Sequence, residues 1–280
     1  MSPERWPTFS DPFTGIACAE SGRGPLLFLL HGLFDTSYTW HRLFAELSPD
    51  FHLAAPDLPG FGRTRLPVQW GESVKEVTQC LLRFLDRWKG ETPVLIGSSM
   101  GGGLALALAV SAPKRFERLV LLNPYAVPEP PAAVAAAKRP LLAALIPFLP
   151  AGPLRGYWAR AIFSRSLYDQ TQMTPDYLDE LTRPLKPFSR RRDLVRFLRG
   201  IDPEEMRRVD EAIPGVRQEV LLIWGENDRW LSSRHADRLE GRLQRCRRVN
   251  LPRCGHLPHL ERPDEVAKAI RSFLSGGSNI

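Results

Sequence analysis

Short apolar runs recur along the chain, each bounded by turn residues and followed by a stretch with apolar residues at helical spacing. The runs Leu26–Leu30, Leu53–Pro56, Val94–Gly97, Leu119–Asn123, Val220–Trp224 and Arg248–Leu251 predict short strands. Most lack polar alternation, which implies burial on both faces, as in a parallel sheet. Between them, Trp40–Leu47, Val74–Trp88, Gly101–Ser111, Ser233–Leu243 and Pro263–Leu274 carry helical periodicity. The alternation predicts an α/β fold, a mostly parallel twisted sheet flanked by helices.

The alternation breaks once. After Asn123, about ninety residues rich in Pro, Ala and Arg show no strand before Val220. Helical pieces are expected at Ala132–Lys138, Leu154–Phe163, Pro175–Leu185 and Arg190–Leu198, with prolines at the joints. This predicts a helical cap over residues 125–214, inserted into a core domain formed by 1–124 and 215–280. The most apolar stretch, Pro131–Pro150, is interrupted by Lys138, Arg139, Pro140 and Pro147, so it is not expected to span a bilayer.

Composition narrows the class without changing the fold. The chain has 280 residues, 43% hydrophobic and 25% charged, as in ordinary globular enzymes. The net charge of +7 raises the question of nucleic acid, but it is spread out. Residues 1–124 balance at zero, 125–214 carry about +3 and 215–280 about +4, with Arg-rich pieces at Arg190–Arg192 and Arg245–Arg248 and acidic residues interspersed among the basic ones along the chain. Solvated faces account for this, and no nucleic-acid motif accompanies them. Cys18, Cys80, Cys246 and Cys254 show neither metal-ligand spacing nor a disulfide framework, so free thiols in a reducing compartment are expected. The first residues contain no apolar signal region, which makes the cytoplasm the expected location.

Gly97-Ser98-Ser99-Met100-Gly101 matches G-x-S-x-G directly between a strand and a helix, the context in which that motif exposes a nucleophile. The turn is tight enough to need small neighbours, which Gly97, Gly101, Gly102 and Gly103 supply. A phosphate-binding loop is excluded because no G-K-[ST] follows. A serine hydroxyl needs a base, and the base an acid. Asp228 follows the strand Val220–Trp224 and His256 follows Arg248–Leu251, both at the sheet edge where reactive groups collect. Glu226 is the alternative acid and His259 the alternative base. Backbone N–H groups of Leu33, or of Phe34 in its place, and of Met100 are the expected oxyanion donors. His31 is expected to brace that loop, and Asp57 to anchor its own.

With HGLFDTSYTW (His31 to Trp40), DLPGFGR (Asp57 to Arg63), GSSMGG (Gly97 to Gly102), WGEND (Trp224 to Asp228) and CGHLPHLERP (Cys254 to Pro263), the chain resembles the α/β-hydrolase superfamily over nearly its whole length. The resemblance points to its branch of esterases, lactonases and C–C bond hydrolases with a helical cap. It implies acyl transfer to a small, largely apolar ester, lactone or thioester, with no cofactor and no metal, in a monomer or homodimer. Dehalogenases and epoxide hydrolases of the superfamily use Asp at the nucleophile position, so Ser99 argues against both. Some members carry the acid where this chain has Asn123, which leaves Asp228. The alternatives are a C–C hydrolase of ring-fission products, disfavoured by the His31–Asp35 loop, and a ligand receptor with slow turnover. Apolar residues at Ala132–Ala137, Leu141–Ile146, Phe148, Leu149, Trp158 and Phe163 are expected either to line the substrate space or to pack the cap.

Overall fold

The computed structural model describes residues 6–65, 73–127, 129, 131–145 and 155–276. Eight strands form one sheet: β1 (Thr8–Ser10), β2 (Ala17–Ser21), β3 (Leu26–Leu30), β4 (His52–Pro56), β5 (Val94–Ser98), β6 (Arg118–Leu122), β7 (Glu219–Gly225) and β8 (Cys246–Leu251). Their order is β1-β2-β4-β3-β5-β6-β7-β8. β1 and β2 pair antiparallel, as do β2 and β4, and every other pair is parallel.

The predicted strands all form, with ends shifted by a residue or two. β1 and β2 are additions, because a three-residue edge strand and the small-residue run ACAES carry little β signal. Helices α1 (His41–Leu47), α2 (Val74–Leu85), α3 (Met100–Ser111), α10 (Ser233–Glu240) and α12 (Pro263–Leu274) flank the sheet, and a one-turn helix α11 (Pro258–Glu261) precedes α12.

Period-two side-chain alternation explains how continuous apolar strands serve two layers. Leu27, Leu29, Leu53, Ile96, Val120, Leu221 and Ile223 face one side, against Leu43 and Phe44 of α1 and Val266, Ile270 and Phe273 of α12. Phe28, Leu30, Leu95, Leu119, Leu121, Val220 and Leu222 face the other, against α2, α3 and α10. α3 is apolar all round and buried for most of its length, so it packs without an amphipathic stripe.

Between β6 and β7 the described chain is helical: α4 (Ala132–Lys138), α5 (Pro140–Leu145), α6 (Arg155–Phe163), α7 (Pro175–Thr182), α8 (Phe188–Gly200) and α9 (Pro203–Ala212). α5 and α9 are additions to the sequence reading. α9 was illegible because PEEMRRVDEA is mostly polar, its start fixed by Asp202 accepting from Glu204 N–H. Val134 and Ala137 of α4 and Leu194 and Phe197 of α8 join the core cluster on the α3 side, so these residues pack and do not face open space. Phe163, Leu167, Met173, Tyr177 and Leu181 form a separate cluster with Leu257 and Leu260. Leu141 is 76% exposed. Leu154, Ile146, Phe148, Leu149 and the side chain of Trp158 lie outside the described residues. No described helix is long and apolar enough to cross a membrane.

Candidate active site

Ser99 occupies the joint between β5 and α3 with φ 52 and ψ −120, a conformation that costs an L-residue roughly 1–3 kcal/mol and persists only where surroundings enforce it. The enforcement is steric. A Cβ on Gly101 would overlap the carbonyl oxygen of Leu30, and one on Gly97 would overlap that of Gly101, so α3 rises directly against β3 and β5. Ser99 N–H donates to Leu122 O at 3.0 Å, and Tyr125 N–H donates to Ser99 O at 2.8 Å.

The parallel register carries the other residues to the same edge. Ser98 pairs with Leu122, Leu122 with Ile223 and Gly225 with Leu251. Strands spaced about 4.8 Å apart put the end of β7 about 10 Å from Ser99, with Asn123 at the end of β6 between them. His256 Nδ1 meets Asp228 Oδ2 at 2.6 Å. Asp228 Oδ2 also accepts from Asn123 Nδ2 at 2.7 Å, and Oδ1 accepts from Trp230 N–H at 2.7 Å and Leu231 N–H at 3.1 Å. Burial pushes this carboxyl upward, but the His256 contact and the backbone donors outweigh it and hold the group below the usual carboxylate range. Asp228 therefore stays ionised at neutral pH. Its bond fixes the imidazole so that Nε2 is left free of Asp228. No hydrogen bond joins Ser99 Oγ to His256 among the described residues.

The alternatives for acid and base are turned elsewhere. Glu226 is exposed. His259 is fully buried, its Nε2 2.8 Å from Thr39 Oγ1 and its ring 4.4 Å from that of Trp40, and burial drives it down to about 3.

The loop after β3 lies against the serine: a Cβ on Gly32 would sit 3.2 Å from Ser99 Cβ. His31, fully buried, donates from Nδ1 to Gly32 O at 2.8 Å and accepts Leu58 N–H on Nε2 at 2.9 Å, which fixes the neutral tautomer; burial lowers its pKa. It ties this loop to the turn of Asp57, whose carboxylate accepts from Ser37 N–H and Arg63 N–H, each at 2.7 Å. Leu33 N–H has no backbone acceptor among the described residues, and Met100 N–H opens α3, where helical N–H groups lack internal partners.

Two supports escaped sequence reading. Asn123 bridges the strands, its Oδ1 accepting Gly225 N–H at 2.9 Å while Nδ2 holds Asp228; the signal was an Asn at a strand end, read only as the lack of an acid. Glu261 accepts from Gly255 N–H (2.7 Å) on one oxygen and from Tyr168 N–H (2.7 Å) and Asp169 N–H (2.9 Å) on the other. Together with His256 N–H donating to Ser166 O at 2.6 Å, it fastens the His256 loop to residues 166–169 of the helical segment. A separate cleft of about 160 Å³, lined by Thr36, Ser37, Asp57, Glu180 and Arg183 among others, includes none of Ser99, Asp228 or His256.

Residues 27–269 match the model of a family described as the alpha/beta hydrolase family. The chain belongs to this family. Relatives of this alpha/beta hydrolase include the pimeloyl-[acyl-carrier protein] methyl ester esterase of Nitrosomonas europaea, 31% identical over 91% of this chain and 98% of that protein. The 2-hydroxy-6-oxo-6-phenylhexa-2,4-dienoate hydrolase of Comamonas testosteroni is 24% identical over 91% and 89%. A crystal structure of an alpha/beta hydrolase fold protein from Burkholderia ambifaria superposes with a TM-score of 0.81 at 23% identity, covering 94% of this chain and 96% of that one. For this hydrolase that likeness establishes the fold; the chemistry rests on its own residues.

Proposed function

We propose that this alpha/beta hydrolase is a serine esterase acting through an acyl-enzyme on Ser99. The observation that carries the reading is the 2.6 Å bond between His256 Nδ1 and Asp228 at the sheet edge that also bears Ser99 in its strained turn. Ser99 Oγ attacks the ester carbonyl as His256 Nε2 takes its proton, and ionised Asp228 stabilises the imidazolium. The N–H groups of Leu33 and Met100 hold the oxyanion, each such donor lowering the barrier by about 3–4 kcal/mol. His256 then protonates the departing alkoxide, and a water deprotonated by the same imidazole releases the acid. The helical segment 125–214 serves as the cap.

Half-buried Leu33, Phe34, Met100 and Tyr125 beside the serine supply apolar surface for an acyl group. Turnover of p-nitrophenyl esters of increasing chain length tests this: medium chains are expected to exceed acetate in kcat/KM, and a strict preference for acetyl or charged substrates would overturn the apolar assignment. A second reading, C–C bond hydrolysis, is favoured by the kinship with the Comamonas dienoate hydrolase. Assay of that dienoate beside the esters separates the two.

A further inference from the structure

A buried polar cluster joins the helical segment to the loop that carries Leu33. Asp35, 3% exposed, ends that loop. Its Oδ1 accepts Thr36 N–H at 2.8 Å, and Asp35 N–H closes the turn onto Gly32 O at 3.4 Å. Tyr177 of α7, also buried, donates its hydroxyl to the Asp35 carboxylate at 3.2–3.3 Å and lies 3.2 Å from Thr39 Oγ1. Thr39 in turn meets His259 Nε2 at 2.8 Å. Between Leu33 and Asp35, Phe34 sits at φ 63, a left-handed conformation that an L-residue holds only under constraint. His31 clamps the start of this strained turn, and Asp35 with Tyr177 clamps its end.

We infer that Tyr177 is a positioning residue for the oxyanion-binding loop: its hydroxyl, delivered by α7, fixes Asp35 and through it the direction of the Leu33 N–H. The inference rests on the esterase reading above. Two physical points support it. Among the described residues, Tyr177 is the side chain outside residues 31–39 that hydrogen-bonds to Asp35. Burial pushes the Asp35 carboxyl up to about 7, and its hydrogen bonds, Tyr177's among them, pull against that rise. A buried carboxyl stripped of a donor is left under-satisfied, which lets the strained turn relax. An oxyanion donor acts only when aimed at the position the charge will occupy, so a small rotation of Leu33 acts on the transition state and leaves substrate binding largely intact.

Tyr177→Phe keeps the ring in its cluster and deletes the hydroxyl. The expected result is a fall of about tenfold in kcat with KM nearly unchanged, and an equal loss of affinity for an aryl trifluoromethyl ketone, whose adduct on Ser99 carries an oxyanion. Asp35→Asn retains an acceptor for Tyr177 and is expected to keep most of kcat, whereas Asp35→Leu should match Tyr177→Phe. A purely structural Tyr177 would lower the melting temperature while leaving kcat and ketone affinity of the folded enzyme unchanged, and that result overturns the inference. Ester turnover and fluorophosphonate labelling of the unmutated protein are measured alongside. If both are absent, the esterase reading falls and takes this inference with it; if both are present and Tyr177→Phe matches the unmutated protein, only the inference falls.

Discussion

At the scale of single residues, the site is a set of charges whose states burial and hydrogen bonds decide. Asp228 is buried yet ionised because four donors converge on it, His256, Asn123 and two backbone N–H groups. Asp228→Asn is expected to lower kcat on p-nitrophenyl esters by about 10³–10⁴-fold with the fold intact, because the amide favours the wrong imidazole tautomer. A loss of less than tenfold would remove Asp228 from its role. Asp35 shows the opposite balance, a carboxyl that burial lifts from 3.8 to about 7. The folded state then binds this proton more tightly than the unfolded chain, so its contribution is full below about pH 4 and is lost as pH rises through 7, by up to about 4 kcal/mol. Half-buried His41 and buried His259, lowered to about 4 and about 3, act in the other direction and cost stability as pH falls below 6.5. Denaturation of the unmutated protein and of Asp35→Asn at pH 4 and pH 8 isolates the aspartate: the variant should gain relative stability at the higher pH.

Elements place these residues, and the tightest placement is the crossing of α3 on β3 and β5. Gly101→Ala would force a Cβ into the Leu30 carbonyl, a backbone atom that cannot swing aside. The expected loss is about 3 kcal/mol, read from chemical denaturation, with activity falling further as the Ser99 turn shifts. Central parallel strands are legible because burial on both faces makes them continuous apolar runs, and the G-x-S-x-G turn is legible because steric demand writes glycines into it. β2 and α9 were missed because small or polar residues formed them for tertiary reasons. Asp35, Tyr177 and Glu261 were missed because their partners lie 142, 138 and up to 93 positions away, beyond any local pattern.

For the whole molecule, the helical segment does more than cover the sheet. Tyr177 reaches the loop of Leu33, while Ser166, Tyr168 and Asp169 hold the loop of His256 directly and through Glu261. The two sides of the proposed machinery thus meet on one helical body, and its position should govern both. In the C-terminal part of the chain, Arg238 and Arg242 pair with Asp210, and Arg248 pairs with Asp237 and Glu240. At the centre of this arrangement stands Ser99 as the proposed nucleophile. That role is tested most directly by reacting the protein with a fluorophosphonate and mapping the adduct by peptide mass spectrometry. One stoichiometric adduct on Ser99, absent in Ser99→Ala, is expected; undiminished labelling of Ser99→Ala, or an adduct on another residue, would remove Ser99 from the role of nucleophile.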